Sequence, residues 1–151
     1  GLPAAAIPNS ICFDKAGTRM YFCDSVEPRI LSCEYDAAKA SIPNVRVFVT
    51  LDTPGAELDG CIIDAEGALW NAQWGAGQVV RYLPDGQVDR IIRIAAAQPS
   101  CVALRGDTLF ITSARVGLPP RVLAAQPASG GIFFHHVGRV LARDEVRVRL
   151  P

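Results

Sequence analysis

Two apolar runs joined by a glycine turn occupy residues 58–74, whose sequence is Leu58-Asp59-Gly60-Cys61-Ile62-Ile63-Asp64-Ala65-Glu66-Gly67-Ala68-Leu69-Trp70-Asn71-Ala72-Gln73-Trp74. Residues 8–25 follow the same order, from Pro8-Asn9-Ser10-Ile11-Cys12-Phe13-Asp14 through Lys15-Ala16-Gly17 to Met20-Tyr21-Phe22-Cys23-Asp24-Ser25. Residues 99–114 do so again, from Pro99-Ser100-Cys101-Val102-Ala103-Leu104 through Arg105-Gly106-Asp107 to Leu109-Phe110-Ile111-Thr112-Ser113-Ala114. Repeats of about 40–50 residues with several strands each are typical of propeller blades.

The rest of the chain also consists of short apolar runs separated by turn residues. They lie at Ile30–Tyr35, Arg46–Val49, Val79–Tyr82, Ile91–Ile94 and Ile132–Phe134. No stretch has a convincing helical period, so the pattern predicts an all-β fold. We expect one partial propeller domain over residues 1–151, with repeats near 7–51, 57–97 and 98–151. A closed propeller needs about four to eight blades, and this chain provides about three.

Composition excludes several classes of protein. The chain has 151 residues, of which 50% are hydrophobic, and its 15 Lys+Arg balance 15 Asp+Glu. This is not the composition of a disordered chain, and no excess of positive charge favours nucleic acid. No apolar run approaches the roughly 20 residues of a membrane span. The five cysteines are an odd number without a Cys-x-x-Cys motif, so we expect buried thiols in a reducing compartment. Residues 1–11 lack the features of a secretory leader, and we therefore expect a cytoplasmic protein.

The charges are unevenly distributed along the chain. Residues 1–75 carry five basic and ten acidic side chains, whereas residues 76–151 carry ten basic and five acidic ones. Opposite net charge at the two ends favours their pairing between copies. Two half-rings joined in this way would form a closed homodimer, and a two-fold dimer is the commonest oligomer.

An ordered set of segments resembles the SMP-30/gluconolactonase/LRE-like family, which includes regucalcin. The segments are Ile7-Pro8-Asn9-Ser10, Met20–Ser25, Leu58-Asp59-Gly60, Asp64–Trp70, Trp74–Tyr82, Pro84-Asp85-Gly86, Gln98–Cys101, Ile111–Arg115 and Gly130–Phe133. They agree with the C-terminal half of the family pattern in order and spacing. The resemblance implies a β-propeller of the six-bladed SMP-30 type, with about three blades in this chain.

The resemblance also implies a function. Family members are typically metal-dependent lactonases, which are carboxylic ester hydrolases that open sugar lactones with one divalent cation in the central channel. Two of the family's metal ligands map onto Asn9 and Asp59. The other two ligands, a Glu and an Asn, and a substrate-binding Arg belong to the half that this chain does not contain. The family usually has Gly after the first of these ligands, where this chain has Ser10.

The residues themselves support an oxygen-ligated site. Asn9 and Asp59 occupy the same position in successive repeats, at the start of what would be the innermost strand of each blade. Such ligands suit Ca²⁺, Mg²⁺ or Mn²⁺, and a carboxylate also suits Zn²⁺. Asp59 could both hold the cation and position or deprotonate the attacking water, which makes it the candidate catalytic residue. The alternative interpretation is that Asn9 and Asp59 only cap turns.

Four further residues are candidates for a role at the site. Ser100 is the counterpart of Asn9 and Asp59 in the third repeat, and as a neutral hydroxyl it is a weak ligand. Trp74 ends a second strand and could approach the channel mouth, although packing is the simpler role. His135 and His136 are adjacent in a strand, so they point to opposite faces and cannot share a metal. We expect one of the two to be buried.

Three functions remain open at this point. The first is a lactonase completed by homodimerisation, which acts on a small-molecule lactone and has no nucleic-acid or membrane partner. The second is an inactive half of a lactonase-family propeller. The third is a non-enzymatic β module that binds a partner by strand addition at its open edges.

Overall fold

The computed structural model describes residues 5–143, which form eleven strands and one short helix. The strands are β1 (Pro8–Phe13), β2 (Arg19–Asp24), β3 (Arg29–Glu34), β4 (Arg46–Thr50), β5 (Glu57–Ile63), β6 (Leu69–Trp74), β7 (Gln78–Tyr82), β8 (Val88–Arg93), β9 (Gln98–Arg105), β10 (Thr108–Ala114) and β11 (Ile132–His136). The helix α1 (Pro120–Ala125) lies between β10 and β11. No helix in this part of the chain is long and apolar enough to cross a membrane.

The strands form three antiparallel sheets in chain order. The first sheet contains β1 to β4, the second β5 to β8 and the third β9 to β11, and each strand pairs with the next one along the chain. The first strands of the sheets lie side by side, since β5 contacts both β1 and β9. The all-β prediction is therefore confirmed. The sheets fall within the three predicted repeats, while the six blades of a complete ring stay a prediction.

Two apolar layers hold the three sheets together. The layer between the first and second sheets is built from buried side chains that include Tyr21, Ile30, Leu58, Leu69 and Val80. The layer between the second and third sheets includes Trp70, Val79, Val102, Leu109 and Ile111. Large aromatic and branched side chains in such layers each contribute roughly 1.5–3 kcal/mol when fully buried. The inner strands β1, β5 and β9 are thus held at fixed positions, and so are the side chains at their ends.

A buried ion pair fastens the second sheet internally. Arg81 on β7 donates to Asp64 at 2.8 Å, and both side chains are almost completely buried. Asp64 also accepts from the indole N–H of Trp70 at 2.9 Å. Burial opposes the charge of Arg81, but Asp64 and Asp89 outweigh it and hold the pKa of the guanidinium above its usual value. The turn between β5 and β6 is therefore tied to β7 by charge as well as by its backbone.

Two features differ from the sequence expectations. The helix α1 spans only six residues, and a helix of less than two turns leaves no periodic pattern to detect. His135 and His136 are both exposed, so the expectation that one is buried was wrong. The reason is that β11 is the outermost described strand of its sheet, and even its covered face is only partly shielded.

The third sheet has one apolar face without a neighbour among the described residues. Its covered face packs against the second sheet through Val102, Leu109 and Ile111. On the other face Phe110 pairs with Phe134, and their exposed fractions are 39% and 70%. This is the face that a further blade would cover in a longer or closed ring.

Candidate functional site

The site lies where the first and second sheets meet at the ends of their inner strands. Asn9 on β1 donates its side-chain Nδ2 to Asp59 Oδ1 on β5 at 2.8 Å. The same Nδ2 also donates to Ser25 Oγ at 3.1 Å. Asn9 and Asp59 are half-buried, so both can contact a ligand. The structure therefore brings together the two residues that the sequence singled out, although they lie 50 positions apart.

Strand irregularities shape this end of both inner strands. The pairing of β1 with β2 shifts register between Asn9 and Cys12, and that of β5 with β6 shifts between Leu58 and Cys61. Asn9 is thus the last residue before its irregularity, whereas Asp59 is the first residue inside its own. The two residues are offset by one position rather than strictly equivalent. Such irregularities bend a strand and redirect side chains, and they are common beside functional sites.

Ser10 is the residue that sequence reasoning noticed without giving it a role. Its φ of 55° is in the left-handed region, where glycine is the usual residue. The side chain is buried and its Oγ donates to the carbonyl oxygen of Asp59. Asn71 Nδ2 in turn donates to Ser10 Oγ at 3.0 Å and to the Asp59 carbonyl at 2.9 Å. Ser10 and Asn71 together fix the backbone that carries Asp59.

Sequence reasoning also missed Asn71 and Ser25. Asn71 is fully buried inside β6 between apolar neighbours, and a lone amide inside an apolar strand was the signal available. Ser25 follows β2 and donates to the Leu58 carbonyl at 2.7 Å. It thereby links the end of the first hairpin to the second sheet beside Asn9.

Burial governs the electrostatics of Asp59. Burial raises the pKa of its carboxyl above the usual value. The hydrogen bond from Asn9 and the N–H of Gly60 act in the opposite direction, while the negative charge of Glu57 adds to the rise. A carboxylate that is costly to ionise gains most from a positive partner. Within residues 5–143, the groups that donate hydrogen bonds to this carboxyl are the side-chain amide of Asn9 and the backbone N–H of Gly60.

A pocket of about 250 Å³ opens beside Asn9 and Asp59. Its lining also includes Ile7, Ser25, Glu57, Leu58 and Trp74. Trp74, for which packing was the simpler expectation, borders the same pocket. Ser100 is not part of this lining; its hydroxyl is 2.9 Å from that of Thr112. Two of the three repeats thus contribute a polar side chain to the pocket.

The donor atoms of the site are of the kind that a divalent cation prefers, but two side chains provide fewer ligands than such a cation needs. A carboxylate and an amide supply oxygen ligands, which hard cations prefer. Within residues 5–143 there is no group of three or more His, Cys, Asp or Glu side chains that could hold a metal. Asn9 and Asp59 would hold such a cation, and its remaining ligands would come from water or from protein outside these residues.

The sheets, the inner-strand site and the sequence define a propeller-type protein, and comparison with known proteins identifies its family. The chain belongs to the SMP-30/gluconolactonase/LRE-like family, whose model matches residues 3–115. It is 48% identical over 146 residues to an L-arabinolactonase of Azospirillum brasilense, covering 94% of this chain and 48% of the relative. It is 32% identical over 117 residues to human regucalcin, covering 75% of this chain and 39% of the relative.

A solved structure shows the same likeness in three dimensions. The crystal structure of a calcium-binding protein, regucalcin from Agrobacterium tumefaciens, superimposes with a TM-score of 0.85 at 36% identity. The match covers 97% of this chain and 50% of that one. The chain therefore spans about half the length of the curated relatives and of the structure that it matches.

Proposed function

We propose that this chain forms half of a metal-dependent sugar lactonase in which Asn9 and Asp59 are two ligands of a divalent cation. The observation that carries the proposal is the 2.8 Å contact between these two side chains at the edge of an open pocket. Family membership and the lactonase-named relative support the reaction class. The calcium-binding protein of similar structure supports a divalent cation.

Asp59 has the central chemical role in this proposal. Hydrolysis adds one water to the lactone carbonyl and breaks the ring C–O bond, which gives a hydroxy acid. A bound cation would polarise that carbonyl and make the attacking water more acidic. Asp59 orients the water and accepts its proton, a role that suits a carboxylate whose pKa lies above the usual value. Asn9 holds Asp59 in place from the neighbouring sheet.

The pocket suits a small polar substrate. Its volume of about 250 Å³ is below the usual range of about 300–1,000 Å³ for ligand pockets, so a single sugar ring is the size expected. Trp74 and Glu57 line the pocket, so an indole ring and a carboxylate are available to the C–H groups and hydroxyls of such a ring. We therefore propose a sugar lactone, such as the arabinose-derived lactone suggested by the relative's name.

The remaining ligands would come from a second half-ring. Two copies related by a two-fold axis along the channel would present Asn9 and Asp59 twice. Phe110 and Phe134 lie on a face that is exposed among the described residues, which supports a further partner, and so does the opposite charge of the two halves of the sequence. A homodimer predicts a solution mass of about twice 16.2 kDa by light scattering. A monomer would contradict the dimer and leave an incomplete site.

A cytoplasmic location is also part of this proposal.

The open face also favours a second candidate. If the ring is completed by other protein rather than by a copy, this chain alone is an inactive half or a module that binds a partner strand. The edge of β11 and its exposed Ile132 would be the place of attachment.

Lactone hydrolysis tests the proposed function. Proton release from an arabinose-derived lactone is measured with the purified chain after treatment with EDTA and after addition of Ca²⁺, Mn²⁺ or Zn²⁺. We expect turnover that EDTA abolishes and one of these ions restores. Asp59→Asn should lose at least about 100-fold, since removing one positioned catalytic group commonly costs about 10²–10⁴-fold. Asp52→Asn is the control, because Asp52 is exposed and outside the pocket. Equal rates for Asp59→Asn and the unchanged chain would overturn the proposal.

A further inference from the structure

Two thiols on the inner strands of different sheets lie close together, a few residues beyond the candidate ligands along each strand. Cys61 Sγ on β5 lies 3.0 Å from Cys12 Sγ on β1. A disulfide bond is about 2.05 Å long, so the sulfur atoms need to approach by only about 1 Å. The two residues are 49 positions apart in the sequence, and the inner strands bring them together.

A pocket borders this buried pair of thiols. Each residue is only 8% exposed, and both line a cavity of about 340 Å³ between the inner strands that could admit a small molecule. Cys61 Sγ also lies 2.9 Å from the Ser10 carbonyl oxygen. The hydrogen bonds of the other three thiols go to backbone carbonyls and not to a second thiol. Cys23 Sγ lies 3.7 Å from the Leu58 carbonyl, and Cys33 Sγ lies 3.8 Å from the Met20 carbonyl. Cys101 is exposed, and its Sγ has a backbone carbonyl as its neighbour.

We propose that Cys12 and Cys61 form a reversible disulfide between the first and second sheets when a peroxide reaches them. One thiol is first oxidised by hydrogen peroxide to a sulfenic acid, with release of one water. The sulfur of the other thiol then attacks this sulfenic sulfur. The S–S bond forms as the S–O bond breaks, and the hydroxyl leaves as a second water with the remaining thiol proton. Peroxide receives both electrons, and a dithiol reductant restores the two thiols.

The bond would fasten the two strands that carry the candidate site. Cys12 follows Asn9 by three residues and Cys61 follows Asp59 by two. A cross-link at this point restrains the separation of the two sheets and closes a long loop in the unfolded chain, which stabilises the folded state. The inference rests on the geometry of the thiols alone and does not depend on lactone hydrolysis.

Peptide mapping tests the link directly. The folded chain is treated with hydrogen peroxide, the remaining thiols are alkylated, and the chain is cut with trypsin. Each cysteine lies in its own tryptic peptide, and those of Cys12 and Cys61 span residues 1–15 and 47–81. We expect these two peptides to be joined with the loss of two hydrogens and to separate with dithiothreitol. The urea midpoint should rise on oxidation and fall back on reduction.

Two variants complete the design. Cys12→Ser should lose both the linked peptide and the rise in urea midpoint, whereas Cys101→Ser should keep both. If Cys12→Ser does not fold, the peptide map of Cys101→Ser decides the matter alone. A link from Cys61 to Cys23 would overturn the proposal. So would thiols at Cys12 and Cys61 that stay free at a peroxide dose that oxidises Cys101.

Discussion

Asn9 on the first sheet donates its side-chain N–H to the carboxylate of Asp59 on the second sheet, at 2.8 Å. No element of local structure links the two residues, since 50 positions separate them and they belong to different sheets. Their contact depends on the packing of β1 against β5. The arrangement has one amide and one carboxylate at the edge of a pocket, and the pKa of that carboxylate is raised by burial.

Asp59→Asn should stabilise the metal-free chain at neutral pH. Because the pKa of Asp59 is raised in the folded state, its ionisation opposes folding. The stability that the protonated group contributes is complete below the unfolded pKa near 3.8 and is lost as the pH rises through the folded pKa. The amide oxygen of the substituted side chain accepts the same hydrogen bond from Asn9 without a charge. Urea unfolding with EDTA at pH 7 and pH 4.5 measures the gain, which should shrink at the lower pH.

The charge-matched control for this prediction is Asp52→Asn, which removes an exposed carboxylate outside the pocket. It should show no comparable gain at pH 7. A loss of stability in Asp59→Asn at pH 7 would show that the ionised carboxylate supports the fold, contrary to this account.

Ser10 should tolerate glycine better than alanine. Its φ of 55° strains any side chain with a Cβ, which costs roughly 1–2 kcal/mol relative to glycine. Ser10→Ala keeps this strain and also loses the hydrogen bonds to Asp59 and Asn71. Ser10→Gly loses the same hydrogen bonds but relieves the strain. Urea unfolding should therefore place the alanine variant about 1 kcal/mol or more below the glycine variant. Equal stability of the two would refute the strained geometry.

Gly60 should not accept a side chain, because the third sheet lies directly against it. A Cβ at this position would be 2.6 Å from Cys101 Sγ and 2.8 Å from the Ser100 carbonyl. We expect Gly60→Ala to cost about 1–3 kcal/mol, as overpacking usually does. Adding Cys101→Ala removes the thiol but leaves the backbone contact, so it should restore only part of the stability. Full restoration in the double variant would contradict the backbone contact.

Arg81→Met should be among the most damaging single changes in the second sheet. It leaves Asp64 buried without its cation, and such a loss costs about 3–5 kcal/mol. Arg29→Met is the matched control, because Arg29 forms an exposed pair with Glu27 that is worth about 0–1 kcal/mol. Thermal unfolding compares the two variants. Similar melting temperatures would mean that the buried pair contributes little.

The repeat in the sequence was enough to predict the fold class, whereas the two candidate ligands also required the resemblance to a known family. The alternation of apolar residues and glycine turns specifies hairpins locally, and this is why β2, β7 and β10 lie where the pattern placed them. The sequence placed Asn9 and Asp59 at the start of inner strands, and the structure adds that their side chains are in contact. The one-residue offset between them could not be predicted, because it comes from register shifts that depend on pairing with β2 and β6.

The roles of Ser10 and Asn71, which support Asp59, could not be predicted from the sequence pattern. Asn71 acts through Ser10 and the backbone of Asp59, and this network exists only once two sheets have packed. The contact of Cys12 with Cys61 has the same origin. The sequence contains five cysteines without a spacing motif. Nothing in it shows that Cys12 and Cys61 are in contact, which only the tertiary structure does.

Binding of a divalent cation tests the assignment of Asn9 and Asp59 as ligands, because the measurement needs no knowledge of the substrate. Isothermal titration of Ca²⁺, Mn²⁺ and Zn²⁺ is carried out on the unchanged chain, Asp59→Asn, Asn9→Ala and Asp52→Asn. We expect saturable binding of at least one ion to the unchanged chain and to Asp52→Asn, and a loss of at least about tenfold in affinity in the other two variants. Equal affinity in all four proteins would place the cation elsewhere and contradict the assignment of Asn9 and Asp59 as its ligands.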